Sequence, residues 1–201
     1  MKSLLATFIL IASAACAFGR AAALDPARAA EDADVIARIR VRRIMPAPGE
    51  TGFGHMAQVA VGTAIKGVKR GEILYFLGDN GMLCPNYGFK WSGDYIVYAR
   101  KLPTGQFVPL GAAALIDAGP GQPDALKTIQ EIRLRLAAVE EAKREATRLY
   151  PELARSDSKL NALFLARYKA RLQEWSNFFH DTNWPITLAK QCAYALKPAD
   201  R

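Results

Sequence analysis

Histidine and cysteine are scarce in this chain, whose 201 residues include two histidines, His55 and His180, and three cysteines. A protein zinc site needs three or four convergent ligands, usually at short spacings, and these residues are scattered singly. A metal site would form only if the fold brought the scattered ligands together. The sequence therefore predicts no metal and no cofactor.

The motifs of common catalytic sites are also missing. No Gly-x-Ser-x-Gly nucleophile elbow occurs in the chain. Residues 62–67 have the glycine spacing of a phosphate-binding loop, but Val68 stands where that loop requires lysine. We therefore expect no catalytic residues and no enzyme activity, and a hydrolase that uses His55 or His180 is the least favoured hypothesis.

The chain has one long apolar run, close to its start. Residues 4–11 are almost wholly apolar, follow a positive charge and precede small residues, which is the order of a secretory signal peptide. The run is shorter than the ~20 residues that span a bilayer. We predict a signal peptide at residues 1–17, with cleavage as late as residue 23 and lipid attachment at Cys16 as alternatives. The mature protein is then periplasmic or secreted, without a transmembrane segment.

Acidic residues are fewer than basic ones, 19 against 27, so the net charge is +8. A basic surface in the bacterial envelope could meet an anionic lipid, a wall polymer or an acidic protein. Most of the basic residues are interleaved with acids, so solubility is the plainer explanation. Another envelope protein or a wall component is the expected partner. Nucleic acid is not expected in that compartment, and the sequence leaves the oligomeric state open.

Two glycines and two prolines fall within residues 119–123, which predicts a linker between a β-rich region at 24–118 and a helical region at 124–201. In the first strand, Ala37, Ile39 and Val41 alternate with arginines, which predicts a half-solvated strand. Five short segments separated by turn residues predict a small barrel or sandwich: 35–41, 56–64, 72–77, 95–99 and 107–110.

The region after the linker has apolar residues at three- and four-residue steps, which predicts a long helix that ends at Pro151. Residues 156–158 offer a cap for a second helix, and a short third helix follows. The two longer helices should pack as an antiparallel hairpin. Glu140 and Arg144 are expected to form an i,i+4 ion pair on the solvated side of the first helix.

Short motifs in the β-rich region occur in the order seen in one known family. Ala33-Asp34-Val35 opens the first strand, Lys66-Gly67 closes the second, Cys84 follows the third, and residues 93–99 contain Tyr-Ile-Val-Tyr-Ala. In that order they resemble the netrin-like module, the OB-fold barrel shared with tissue inhibitors of metalloproteinases. The resemblance covers residues 33–117. The expected fold is therefore α+β, a small OB-like β-barrel followed by a C-terminal helical hairpin and a short third helix.

The resemblance does not imply inhibition of metalloproteinases. Tissue inhibitors chelate the zinc of their target with an N-terminal cysteine, and neither cleavage site predicted here leaves a cysteine at the N-terminus. The cysteine that usually follows the last strand of the module is also missing, because residues 110–115 contain none. Cys84 therefore lacks the partner that it has in the family.

Cys84 and Cys192 are the two cysteines that remain after removal of the signal peptide. An oxidising compartment permits them to pair, and closing a loop of about a hundred residues stabilises by roughly 4–5 kcal/mol in the chain-entropy model. We predict a Cys84–Cys192 disulfide. The alternative is two separately buried thiols.

The expected function is that of an exported, non-enzymatic binding or interaction protein of the bacterial envelope. The alternative is an inhibitor of a secreted hydrolase, a protease or a lysozyme, that acts by surface occlusion. The aromatic residues Trp175, Phe178, Phe179 and Trp184 could form an exposed ligand patch, although such a cluster more often lies in a core.

Overall fold

A computed structural model of the chain describes residues 24–78, 88–120, 122, 124–174 and 177–197. The chain divides into two compact units. We call Ala33–Leu126 the barrel unit, and Pro26–Asp32 with the residues from Lys127 onward the helical unit. In the described residues, no helix is both long enough and apolar enough to cross a membrane.

The barrel unit contains a sheet closed by strand pairing. Its strands are β1 (Val35–Pro46), β2 (His55–Lys66), β3 (Ile73–Gly78), β4 (Asp94–Lys101), β5 (Phe107–Pro109) and β6 (Leu115–Asp117). Their order in the sheet is β1-β2-β3-β5-β4, β1 also pairs with β4, and β6 adds to β4 outside the ring. All pairs are antiparallel except that of β3 with β5. This confirms the predicted small barrel in an α+β fold.

The alternation in β1 determines which of its side chains fill the barrel. Ala37, Ile39 and Val41 are buried in the interior cluster, as predicted. Three phenylalanines pack there, with the ring of Phe76 5.7 Å from that of Phe89 and 5.5 Å from that of Phe107. Shifts of register along β1 and β2 mark bulges, which increase local twist and help a long strand to curve around a small barrel.

The turn after β2 requires glycine at position 67. Gly67 has a φ of +72°, and a Cβ atom there would lie 2.0 Å from the carbonyl oxygen of Asp34. Only a residue without a side chain permits this approach of two backbone segments. The motif Lys66-Gly67 therefore has a steric role in the barrel.

The helices are α1 (Pro26–Asp32), α2 (Ala125–Leu149), α3 (Lys159–Gln173) and α4 (Trp184–Ala195). The predicted cap of α3 is present, because the hydroxyl oxygen of Ser158 accepts a hydrogen bond from the backbone N–H of Asn161 at 3.0 Å. Helix α3 packs against α4, and Val139 of α2 belongs to the same buried cluster as Leu160 of α3.

The short helix α1 was not predicted, since the region from residue 24 was assigned to the barrel. Its seven residues are too few for helical periodicity to be visible in the sequence. Ala27, Ala29 and Ala30 are buried, and the segment belongs to the helical unit. Ala27 takes part in the buried side-chain cluster of the helical unit.

The aromatic side chains of the helical unit form a core. Trp184 is 2% exposed, and its ring stacks on Tyr168 at 5.3 Å and meets Phe179 edge-on at 5.4 Å. Phe179 is fully buried. These two aromatic residues are therefore core rather than an exposed ligand patch, while Trp175 lies outside the described residues.

Candidate functional site

Arginine is concentrated on strand β1, which contains four arginines and no acidic residue in its twelve positions. Arg38, Arg40 and Arg42 point to the outside of the barrel, because the residues between them fill the interior. We call these three residues the arginine row. A row of guanidinium groups on one sheet face favours carboxylate or phosphate ligands, since the planar fork of each arginine matches both anions.

Arg40, in the middle of the row, is paired with Asp94. The two residues stand opposite each other in the β1–β4 register. The Nε and Nη2 atoms of Arg40 donate to the two carboxylate oxygens at 3.1 and 2.8 Å. The Asp94 side chain is 7% exposed and that of Arg40 53%. These hydrogen bonds and the carboxylate charge raise the pKa of Arg40. Because the two charges of the pair are opposite, the pair adds little net charge to the row.

Arg38 and Arg42 carry the net charge of the row. Arg38 donates from Nη2 to the carbonyl oxygen of Ala118 at 3.1 Å, which anchors its guanidinium without neutralising it. Among the described residues, Arg42 has no hydrogen-bond or ion-pair partner and is exposed. One positive charge therefore lies on each side of the neutral Arg40–Asp94 pair.

Two grooves border the row and share Arg38, Arg40 and Asp94. The first groove, of about 430 Å³, is lined by Arg42, by Ala60 and Gly62 of β2, and by Ile73 of β3, among other residues. The second groove, of about 610 Å³, is lined by residues 118–120, Gln122, Ala125 and Leu126. Asp94 is the one carboxylate among the described residues that line them.

Exposed apolar side chains lie on β3, where Ile73 lines the first groove and Tyr75 lies beyond it. Ile73 is 47% exposed and Tyr75 is 40% exposed. The phenol oxygen of Tyr75 accepts a hydrogen bond from the Nε2 of Gln58 at 3.1 Å. Since Ala60 and Gln58 of β2 pair with Ile73 and Tyr75 in the register, β2 separates the apolar residues from the arginine row. The face thus combines cations, a groove and an apolar edge.

No protein-family model matches this chain, and a search of curated proteins finds no match either. The netrin-like resemblance therefore stays a prediction, and the candidate site depends on its own geometry.

The two histidines lie in different units. His55 stands opposite Gly78 in the β2–β3 register, and its buried Nε2 has no hydrogen-bond partner among the described residues. His180 is exposed at the end of a 3-10 turn in the helical unit, where its carbonyl oxygen accepts from Nη1 of Arg135 at 3.2 Å. Within the described part of the chain, no group of three or more His, Cys, Asp or Glu residues could hold a metal ion.

Cys192 is a free thiol that is fully buried in the helical core. Burial raises its pKa, and nearby Arg167 opposes that effect in part. A buried thiol with a raised pKa is a poor nucleophile. Cys84 lies outside the described residues, so the Cys84–Cys192 disulfide stays a prediction.

Sequence patterns do not single out the arginine row. The alternation of β1 predicts only a solvated face for the three arginines, and over the whole chain the basic residues are mostly interleaved with acids. On β1 the basic residues are not interleaved with acids. This run of arginines at every second residue, without an acidic residue, is the sequence feature that could have indicated the site. The carboxylate that neutralises Arg40 is 54 residues away in the chain.

Proposed function

We propose that this protein is an exported, non-enzymatic binding protein of the bacterial envelope, and that it binds an acidic partner through the arginine row. The observation that carries the proposal is the charge arrangement of β1. Arg38 and Arg42 have no carboxylate partner among the described residues, and they border grooves open to a ligand. Uncompensated charge beside a groove concentrates and orients ligands of opposite sign.

The non-enzymatic part of the proposal is supported by the placement of the reactive groups. Cys192 is buried with a raised pKa, which makes a thiol a poor nucleophile. Among the described residues that line the two grooves, none is a histidine, a cysteine or a serine. In the described residues, the candidate face presents arginines, small residues and apolar side chains instead.

The barrel architecture also supports a binding role and the netrin-like assignment, which remains part of the proposal. OB-type barrels commonly bind ligands on the outer face of neighbouring strands, near the loops that connect them. The arginine row occupies such a face, on β1 between β2 and β4. The alternative, occlusion of a secreted hydrolase, would use the same face against an acidic protein surface.

Export is tested by fractionating a Gram-negative host that expresses the full chain. We expect a shortened protein in the periplasm, with an N-terminus between about residue 16 and about residue 24. A native envelope protein that still begins at Met1 would contradict export by a cleaved signal peptide.

Binding is tested by capture from an envelope extract on the immobilised mature protein. The double variant Arg38→Gln/Arg42→Gln should lose the captured partner. The control Arg144→Gln/Arg148→Gln removes the same charge from exposed positions of α2 and should retain it. Equal capture by both variants would contradict the proposed face. Capture of a hydrolase whose activity falls when the protein is added would favour the inhibitor over the adaptor.

A further inference from the structure

The spacing of the arginine row selects the kind of anion that can occupy it. A strand rises about 3.3 Å per residue, so Arg38 and Arg42 start about 13 Å apart along β1. The guanidinium of Arg38 is anchored on Ala118, and that of Arg40 between them is held by Asp94. A single small anion therefore cannot satisfy both free charges, whereas a linear molecule with several anionic groups can.

The first groove is wide enough for an extended chain. Neighbouring strands lie about 4.8 Å apart, so β1 and β3 border a strip about 10 Å wide. Its floor includes Ala60 and Gly62, whose small size keeps the strip open between the arginines and Ile73. Adding a Cβ atom at Gly62 would place it 3.7 Å from the nearest atom, the carbonyl oxygen of Arg38, so the space above the floor is free.

The wall opposite the arginines is apolar at Ile73, and a flat ring lies just beyond the groove on the same strand. Tyr75, two residues further along β3, is exposed there, and Nε2 of Gln58 donates a hydrogen bond to its phenol oxygen. A sugar ring offers C–H groups to an aromatic face and hydroxyl groups to polar neighbours. An acidic peptide needs no such ring, and a single-stranded nucleic acid is usually bound on a series of aromatic platforms. One tyrosine beside a cationic wall fits a sugar chain best.

We infer that the first groove binds a linear sugar chain that carries carboxylate or phosphate groups, with the anionic groups on the arginine row and a sugar ring against Tyr75. This inference rests on the proposed function, because it names the ligand of the same face. Arginine binds both anions with its planar fork, so the shared chemistry is that of an anionic glycan.

The test is calorimetric titration of the mature protein with defined probes. These are an oligogalacturonate, a phosphorylated dextran, neutral dextran, polyglutamate, oligothymidylate and vesicles that contain an anionic phospholipid. We expect at least one of the two anionic glycans to bind, with an affinity that falls as salt is added, and neutral dextran not to bind. Carboxylate and phosphate sources are separated by which of the two glycans binds more tightly.

Two variants separate charge from shape. Arg42→Gln removes a side chain without a partner among the described residues and should weaken glycan binding about tenfold, the effect of losing one charged hydrogen bond. The control Arg144→Gln should bind as the wild type does. Ala60→Leu fills the floor of the groove without changing charge and should abolish glycan binding, whereas Ala138→Leu at an exposed position of α2 should not. Each variant is compared with the wild type by circular dichroism and thermal melting.

The inference is overturned if polyglutamate, oligothymidylate or the vesicles bind as tightly as the anionic glycans, or if Ala60→Leu binds them normally. Failure of both anionic glycans also overturns it. If the row variant Arg38→Gln/Arg42→Gln still loses its captured envelope partner in that case, the proposed function stands and only the ligand class is wrong. If that variant keeps its partner, the proposed function fails as well.

Discussion

Asp94 sets the charge of the candidate face at the scale of single residues. It is the buried member of a cross-strand pair with Arg40, and its backbone oxygen also accepts from the N–H of Ala118. The same residue therefore holds β1, β4 and the chain after β6 together and lowers the positive charge of the row. Asp94 therefore has a structural role and an electrostatic role, and a substitution of this residue should affect stability and anion binding in opposite directions.

Replacing Asp94 by Asn should lower stability and strengthen anion binding at the same time. The melting temperature should fall by a few degrees, because the bidentate charged hydrogen bonds with Arg40 are lost. Affinity for an anionic glycan should rise several-fold, because Arg40 regains its full charge. Thermal melting and calorimetry measure the two effects, and Asp157→Asn at an exposed site is the control. Weaker anion binding in a folded Asp94→Asn protein would contradict the assigned role.

Tyr168 makes the helical core sensitive to alkaline pH. Burial, and then the charges of Glu31 and Asp32, raise its pKa from 10.0 to about 12. The unfolded chain therefore loses the phenol proton before the folded chain does, so this contribution to stability is intact below pH 10 and is lost as pH rises towards 12. In the Tyr168→Phe variant, the free energy of unfolding, measured with urea at pH values on both sides of 10, should fall less as pH rises. Equal alkaline losses in the wild type and the variant would show that Tyr168 does not cause them.

At the scale of elements, the ends of strands and helices depend on particular local contacts. Ser158 begins α3, because its hydroxyl both accepts from Asn161 N–H and donates to the carbonyl oxygen of Glu152 at 2.6 Å. The surface pairs of α2 are closer in sequence than predicted. Glu140 pairs with Lys143 and Arg144 with Glu141, both at i,i+3, in place of the expected Glu140–Arg144 pair. Such exposed pairs contribute little to stability.

The turn between β2 and β3 provides a test of element geometry. Gly67→Ala should reduce the free energy of unfolding by about 2 kcal/mol or more, because alanine is strained at positive φ and its Cβ would collide with the Asp34 carbonyl. Chemical denaturation of the variant measures the loss. Gly111→Ala is the control, since a Cβ there meets nothing within 4 Å and its φ is not positive. Similar stability in both variants would show that the backbone relaxes around the new methyl group.

At the scale of the whole molecule, the net charge of +8 describes the protein less well than the distribution of its charges. Lys143, Arg144 and Arg148 of α2 form ion pairs along the helix, whereas two arginines of the row have no carboxylate partner among the described residues. The helical unit is held by its aromatic core. Its buried Cys192 belongs to that core and is also half of the predicted disulfide.

The disulfide prediction is tested by alkylation of the mature protein purified under oxidising conditions. Because native Cys192 is buried, the protein must be unfolded in denaturant without reductant before the alkylating reagent is added. If Cys84 and Cys192 are paired, mass spectrometry should find neither thiol labelled, and Cys84→Ser should lower the melting temperature. Two labelled thiols would show that the bond is absent and that Cys192 remains free, as in the structure.

Most of the elements are predictable from the sequence, because the periodicity of a segment reflects which of its side chains are buried. The alternation of Ala37, Ile39 and Val41 predicted which face of β1 is inside, and the apolar steps before Pro151 predicted the course of α2. Hydroxyl capping by Ser158 and the glycine of the β2 turn were also visible, since each acts over a few residues.

The candidate site, in contrast, depends on how the strands meet in the folded barrel. Asp94 meets Arg40 because β4 closes the barrel against β1, and no local pattern links positions that are 54 residues apart. The pairing of β1 with β4 ends at Arg40, and Arg42 has no partner among the described residues. The β1–β2 and β2–β3 registers place Ala60 and Ile73 across from Arg40. Strand register sets which charges are compensated, and register is a property of the folded sheet rather than of any one segment.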